Sequence, residues 1–340
     1  MSNTPDQSPF EPANLADPEN LAPPQESAPR EPLQLPAWTD ESAEPSPQPQ
    51  ITGPEAAPPI FQQFYSPSIE PQDRIPHLGH VGILGVLALC SLIAASLLAR
   101  SALYFHLFGV STLSQATSDI RYTLGSEAIF YFLTLGCCLL VFPIIWRKGF
   151  LAGLQWRGIT ALRLRGRLAS AAVLCFLLAI VNGELMPGPS DAPIDLIFRT
   201  PGAAWLLFAF GITLAPFFEE FAFRGFLLPA LCTACDWIAE RATDTPAPPL
   251  DENGHPQWSL PAMAVASVLT SLPFALMHAY QTGYSLGPFL LLLFVSLVLC
   301  WIRLSTRSLA SSVLVHACYN LLLFSLMVVG TGGFRHLENM

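Results

Sequence analysis

From Leu78 onward the chain alternates long apolar runs with short polar breaks. Seven runs, at approximately 79–99, 124–146, 168–186, 203–232, 260–281, 286–303 and 308–330, each approach the ~20 residues that a helix needs to cross a bilayer. The pattern predicts an all-α fold, a polytopic transmembrane helix bundle of about seven spans. The fourth run is the longest, so tilt, a kink at Pro216 or extension beyond the bilayer is expected there. The stretch "YFHLFGVSTLSQATSDI" at 104–120 is amphipathic, as interfacial segments are. Residues 1–76 differ sharply. They hold 18 of the 32 prolines, with much Glu, Gln and Ser, and too few apolar side chains to offset chain entropy. They are expected to form a disordered tail. No basic region followed by an apolar one marks a signal peptide within it. Four parts are expected: the tail (1–76), a first group of spans (77–200), a second group (201–330) and a short C-terminal tail (331–340).

Composition sharpens this picture. Charged residues make up 12% of the chain, about half the roughly 25% of a soluble domain, and hydrophobic residues make up 52%. The net charge of −9 is unevenly spread. Residues 1–76 contain two basic and twelve acidic residues, a net of −10, so the remainder carries +1. Arg147, Lys148, Arg157, Arg163, Arg165 and Arg167 crowd between the second and third spans. The positive-inside rule places that segment, and by counting the N-terminal tail, in the cytoplasm. Arg303 and Arg307 read as a further cytoplasmic connection. The eight cysteines fall mostly in apolar runs and read as small buried hydrophobes. Cys232 and Cys235 form a lone CxxC that lacks the second pair a zinc ribbon needs.

Few strongly polar side chains interrupt the spans. In "FFEEFAFRGFLL", Glu220 and Arg224 are four residues apart and share a helical face. Glu219 points about 140° away from Arg224, given 100° per residue. One carboxylate can therefore pair with the guanidinium while the other stays free, in surroundings that penalise its charged form. His316 and Asn320 share a face of the seventh span, and His278 ends "LPFALMH" in the fifth. Glu127 and Glu184 sit nearer span ends, where water is close. Carboxylate, imidazoles and carboxamide together can activate water and support an oxyanion. Each feature alone has a plain alternative, an ion pair or an interhelical hydrogen bond. A proton-coupled small-solute transporter would use the same residue types, but no internal repeat of the kind many transporters show is evident.

In this order, "EEFAFR" (219–224), "FALMH" (274–278) and "HACYN" (316–320) resemble the EExxxR, FxxxH and HxxxN motifs of the CPBP intramembrane proteases, the type II CAAX prenyl endopeptidases and their bacterial Abi-like relatives. The resemblance covers roughly 203–325. It implies a membrane-embedded endopeptidase. Glu219 would activate water; His278, His316 and Asn320 would position it or stabilise the oxyanion. Arg224 would hold Glu220 and could meet a substrate carboxylate. No cofactor is required by these motifs, although Glu219, His278 and His316 could ligate a divalent metal such as zinc. The implied partner is a membrane-embedded or membrane-anchored protein or peptide, prenylated or not, within a lipid bilayer, with no nucleic acid. A bacterial inner membrane fits the motifs. Some relatives serve as adaptors or bacteriocin-immunity proteins, so a non-catalytic role is the alternative. One tension remains. Residue counting puts His278 near the far end of its span and Glu219 and His316 at the near end, which calls for a later start of the fifth span, a tilt, or a break at Pro273.

Overall fold

The computed structural model describes residues 74–189, 193, 201–244, 246–251 and 255–335. The expected disordered tail lies outside them except for Arg74, Ile75 and Pro76, as does the end of the chain beyond 335. All regular elements among the described residues are helical. They are α1 (Leu78–Tyr104), a 3-10 turn (Leu107–Gly109), α2 (Leu113–Ser118), α3 (Ile120–Trp146), α4 (Phe150–Gly153), α5 (Gly158–Arg163), α6 (Arg165–Leu185), α7 (Pro201–Ile212), α8 (Leu214–Glu220), a π-helical turn (Phe221–Leu227), α9 (Leu228–Thr243), α10 (Leu260–Met277), α11 (Leu286–Thr306) and α12 (Leu309–Gly330). Seven stretches are long and apolar enough to cross a membrane, the fourth being Gly202–Thr243 at 42 residues. Leu140 and Ile144 on α3, like Leu89 and Leu97 on α1, point outward from the bundle, as lipid-facing side chains do.

The fourth stretch breaks three residues before Pro216. Thr213 leaves helical geometry (φ −122°, ψ −77°). Pro216 has no N–H for the Ile212 carbonyl, and its ring crowds that carbonyl. The helix restarts at Leu214. Pro273, in contrast, lies inside a continuous α10.

Hydrophobic clusters hold the helices together. Phe142 and Trp146 of α3 pack with Phe221 and Phe226 of the π turn, and Ile75 joins them. Leu168 and Cys175 of α6 pack between α11 and α12. Leu228 and Cys232 of α9 meet Ala266 and Cys300; all eight cysteines are free thiols. At one end of the bundle the basic segments converge. Arg157 Nη2 lies 3.0 Å from His255 Nε2, Arg307 pairs with Asp251 at 2.7 Å, and the Ser308 hydroxyl donates to the Arg157 carbonyl.

The depth tension resolves through register. Ser259, the N-cap of α10, donates its hydroxyl to Asp236 at 2.6 Å, and Trp258 Nε1 donates to Thr233. The start of α10 is therefore level with the middle of α9. The start of α12 lies further back, at the π turn that precedes α9, where Leu309 sits against Gly225. The eleven residues from Gly225 to Asp236 correspond to about 16 Å of helix. Because α10 begins that much farther out, its last turn reaches the depth of Glu219. Neither a later start nor a break at Pro273 is involved.

Candidate active site

The π turn sets the site. Leu228 N–H bonds to the Phe223 carbonyl, five residues back instead of four, so the Arg224 carbonyl loses its ordinary donor. The next N–H in a π pattern would be that of residue 229, and Pro229 has none. A buried orphan carbonyl costs about 1–3 kcal/mol. Arg303 Nε supplies the missing donor at 3.1 Å. Arg303 Nη1 donates to Gln155 Oε1 at 2.9 Å, and Nη2 donates to the Leu154 carbonyl. Arg303 is only 2% exposed, so the residue that sequence reading took for a loop cation is an interior brace.

Glu220 and Arg224 are both 0% exposed and pair at 2.9 Å. Arg224 Nη2 also donates to the Ser296 hydroxyl at 2.6 Å and to the Ser296 carbonyl. The guanidinium lies 4.5 Å over the Phe274 ring. Enclosed in this way, Arg224 is not open to a substrate carboxylate. The same Glu220 oxygen, Oε1, faces His316 Nδ1 at 3.0 Å. A carboxylate accepts, so Nδ1 donates here and Nε2 is left outside this network. His278 follows the same logic. Its Nδ1 lies 2.9 Å from the Phe274 carbonyl, which can only accept.

Both Nε2 atoms turn to Glu219. His278 Nε2 is 3.8 Å from Oε1, and His316 Nε2 is 3.8 Å from Oε2. These distances exceed a direct hydrogen bond and suit groups that share a small polar molecule. Glu219 therefore differs from its neighbour. Glu220 is locked in a closed network, and Glu219 stands between two imidazoles at the wall of a cavity of about 1390 Å³. His278, His316 and Asn320 line the same cavity. Its walls run to the N-terminal ends of α3 and α7, away from the basic end of the bundle.

Asn320 Nδ2 donates to the Gly211 carbonyl at 2.7 Å, at the break between α7 and α8. Gly211 permits this approach, since a Cβ there would sit 2.8 Å from the Phe324 ring. Of the six predicted residues, Glu219, His278 and His316 meet, Glu220 holds His316 from behind, Arg224 holds Glu220, and Asn320 stands at the rim with one N–H engaged.

Sequence reading missed Arg303 and Ser296, and it passed over Glu127 as a span-end residue. Glu127 lines the cavity too, with Tyr131. The signal for Arg303 was Pro229, whose missing N–H requires a donor from elsewhere. Glu219 and the two imidazoles are the donors a metal would use. Among the described residues, however, no group of three or more His, Cys, Asp or Glu side chains converges closely enough to hold an ion.

Seven apolar helices around a buried glutamate–histidine cluster mark an integral membrane protein. Residues 201–322, the segment from α7 into α12, match the model of the type II CAAX prenyl endopeptidase Rce1-like family. That match supports CAAX-type protease activity at the level of the family. No curated protein and no solved structure matches the chain.

Proposed function

We propose that the chain is an intramembrane endopeptidase that hydrolyses a peptide bond of a membrane-associated substrate, a prenylated CAAX-like tail being one such substrate, through water activated by Glu219. One observation carries this reading: the Glu219 carboxylate lies 3.8 Å from each of two imidazole Nε2 atoms, at the wall of a cavity large enough for a peptide. In the reaction, Glu219 takes a proton from water as its oxygen bonds the scissile carbonyl carbon. The resulting oxyanion is stabilised by a protonated Nε2 of His278 or His316 and by the Asn320 N–H that Gly211 does not use. Collapse breaks the C–N bond, and the proton held at Glu219 passes to the leaving amine. Glu220 and Arg224 hold His316 in register. The basic end of the bundle would face the cytoplasm of a bacterial inner membrane.

The test uses purified full-length protein in detergent with fluorogenic peptides, farnesylated and plain. Cleavage should fall about 10²- to 10⁴-fold in Glu219→Gln and persist through a strong chelator. Equal rates in wild type and Glu219→Gln would overturn the assignment of the base. Loss of cleavage on chelation would replace the metal-free route with a metal-dependent one.

A further inference from the structure

The cavity holds a second acidic group, outside the segment that matches the family. Glu127 lies in the first two turns of α3, and Tyr131 follows one turn later. The Tyr131 hydroxyl donates to Glu127 Oε1 at 2.7 Å. The Tyr131 ring stacks on Phe218 at 4.5 Å with 18° between planes, and Phe218 directly precedes Glu219. This stack fixes α3 against α8. Glu127, Tyr131 and Glu219 consequently line both the main cavity and a smaller one of about 480 Å³ beside it.

Charge balance singles out Glu127. Four described side chains lining the main cavity have formal charge: Asp119, Arg121, Glu127 and Glu219. Asp119 and Arg121 neutralise one another, and the Arg121 hydrogen bond holds the Asp119 carboxyl below the usual carboxylate range. Glu219 faces two imidazoles. Glu127 has a neutral phenol on one oxygen, and among the described residues no cation is paired with it. An unpaired carboxylate at membrane depth is costly. A cation brought by the substrate would offset that cost.

We infer that Glu127, aimed by Tyr131, is a specificity-determining subsite that receives a positively charged group, a Lys or Arg side chain or an ammonium, on the substrate segment beside the scissile bond. This rests on the reading of the Glu219 cavity as a peptide-binding site, but its test does not require turnover. The probes are two fluorescein-labelled hexapeptides, identical and otherwise uncharged, one with a single Lys and one with norleucine at the same position. Each position is scanned in turn. Binding is followed by fluorescence anisotropy to the full-length chain carrying Glu219→Gln, with Glu127 intact or changed.

The Lys peptide should bind about tenfold more tightly at one position, the scale of a hydrogen bond to a charged group. Glu127→Gln should bring the ratio near one. Glu127→Lys should invert the preference, so that a Glu-containing peptide binds better. Tyr131→Phe, which keeps the stack and removes the donor, should reduce the ratio without inverting it. A ratio of one at every position with Glu127 intact, or a preference that survives Glu127→Gln, would overturn the subsite. Binding preference without cleavage by the wild type would sink the peptidase reading and leave the subsite standing.

Discussion

Glu219 and Glu220 are adjacent in the chain and occupy opposite kinds of surroundings. The region behind Glu220 is closed. Arg224 and His316 reach the Glu220 carboxylate at 2.9 and 3.0 Å, Arg224 is held in turn by Ser296 at 2.6 Å, and Glu220 and Arg224 are fully buried. The region in front of Glu219 is open, and its partners stand 3.8 Å away. Tight pairing in a buried interior fixes position; loose pairing at a cavity wall leaves lone pairs and protons free to move. The rear network orients, and the front group reacts.

This contrast can be broken at several points. The largest effect is expected behind Glu220. Glu220→Ala leaves Arg224 buried without its counter-charge and should cost about 3–5 kcal/mol of stability, read as loss of monodisperse protein and a lowered Tm in detergent. Glu219→Gln should leave Tm within a few degrees of wild type while abolishing cleavage, so the two neighbouring variants separate stability from activity. If Glu219→Gln unfolds the protein as Glu220→Ala does, the division of labour is wrong. Arg303→Lys comes next. An ammonium cannot reach Arg224 O, Gln155 and Leu154 O together, and the expected loss is about 1–3 kcal/mol in thermal unfolding. Asn320→Ala is the mildest for the fold, about 1 kcal/mol from the Gly211 hydrogen bond. Its kcat should nonetheless drop by far more than its Tm shift suggests if the second N–H serves the oxyanion.

Much of this was legible in the sequence. The spans announce themselves, because about twenty apolar residues in a row have few other uses. The i, i+4 spacing of Glu220 and Arg224 correctly foretold their pairing, since it survives the π turn. The depth of His278 was not legible. Counting from loops assumes that every span starts in one plane, whereas α9 runs well beyond the start of α12 and carries the start of α10 with it. Arg303 was misread because a cation near a span end usually marks a loop. Its interior role depends on a carbonyl that only the π turn orphans. Glu127 looked water-facing for the same positional reason, and the stack of Tyr131 on Phe218 is a long-range contact that no local pattern encodes.

The π turn also sets an angular phase. Inserting one residue into a helix rotates everything after it by about 100° relative to everything before. On one side of Phe221–Leu227 the chain is gripped by α12 through Glu220 and His316; on the other, by α10 through Asp236 and Ser259. The extra residue lets both grips hold at once. Deleting a single position within that turn would restore a regular screw and swing the carboxylates toward a different neighbour, with every side chain of the site still present. Pro229, ten positions after Glu219 and in no contact with substrate in this reading, thus works as the keyway that clocks the reactive carboxylate to its two histidines.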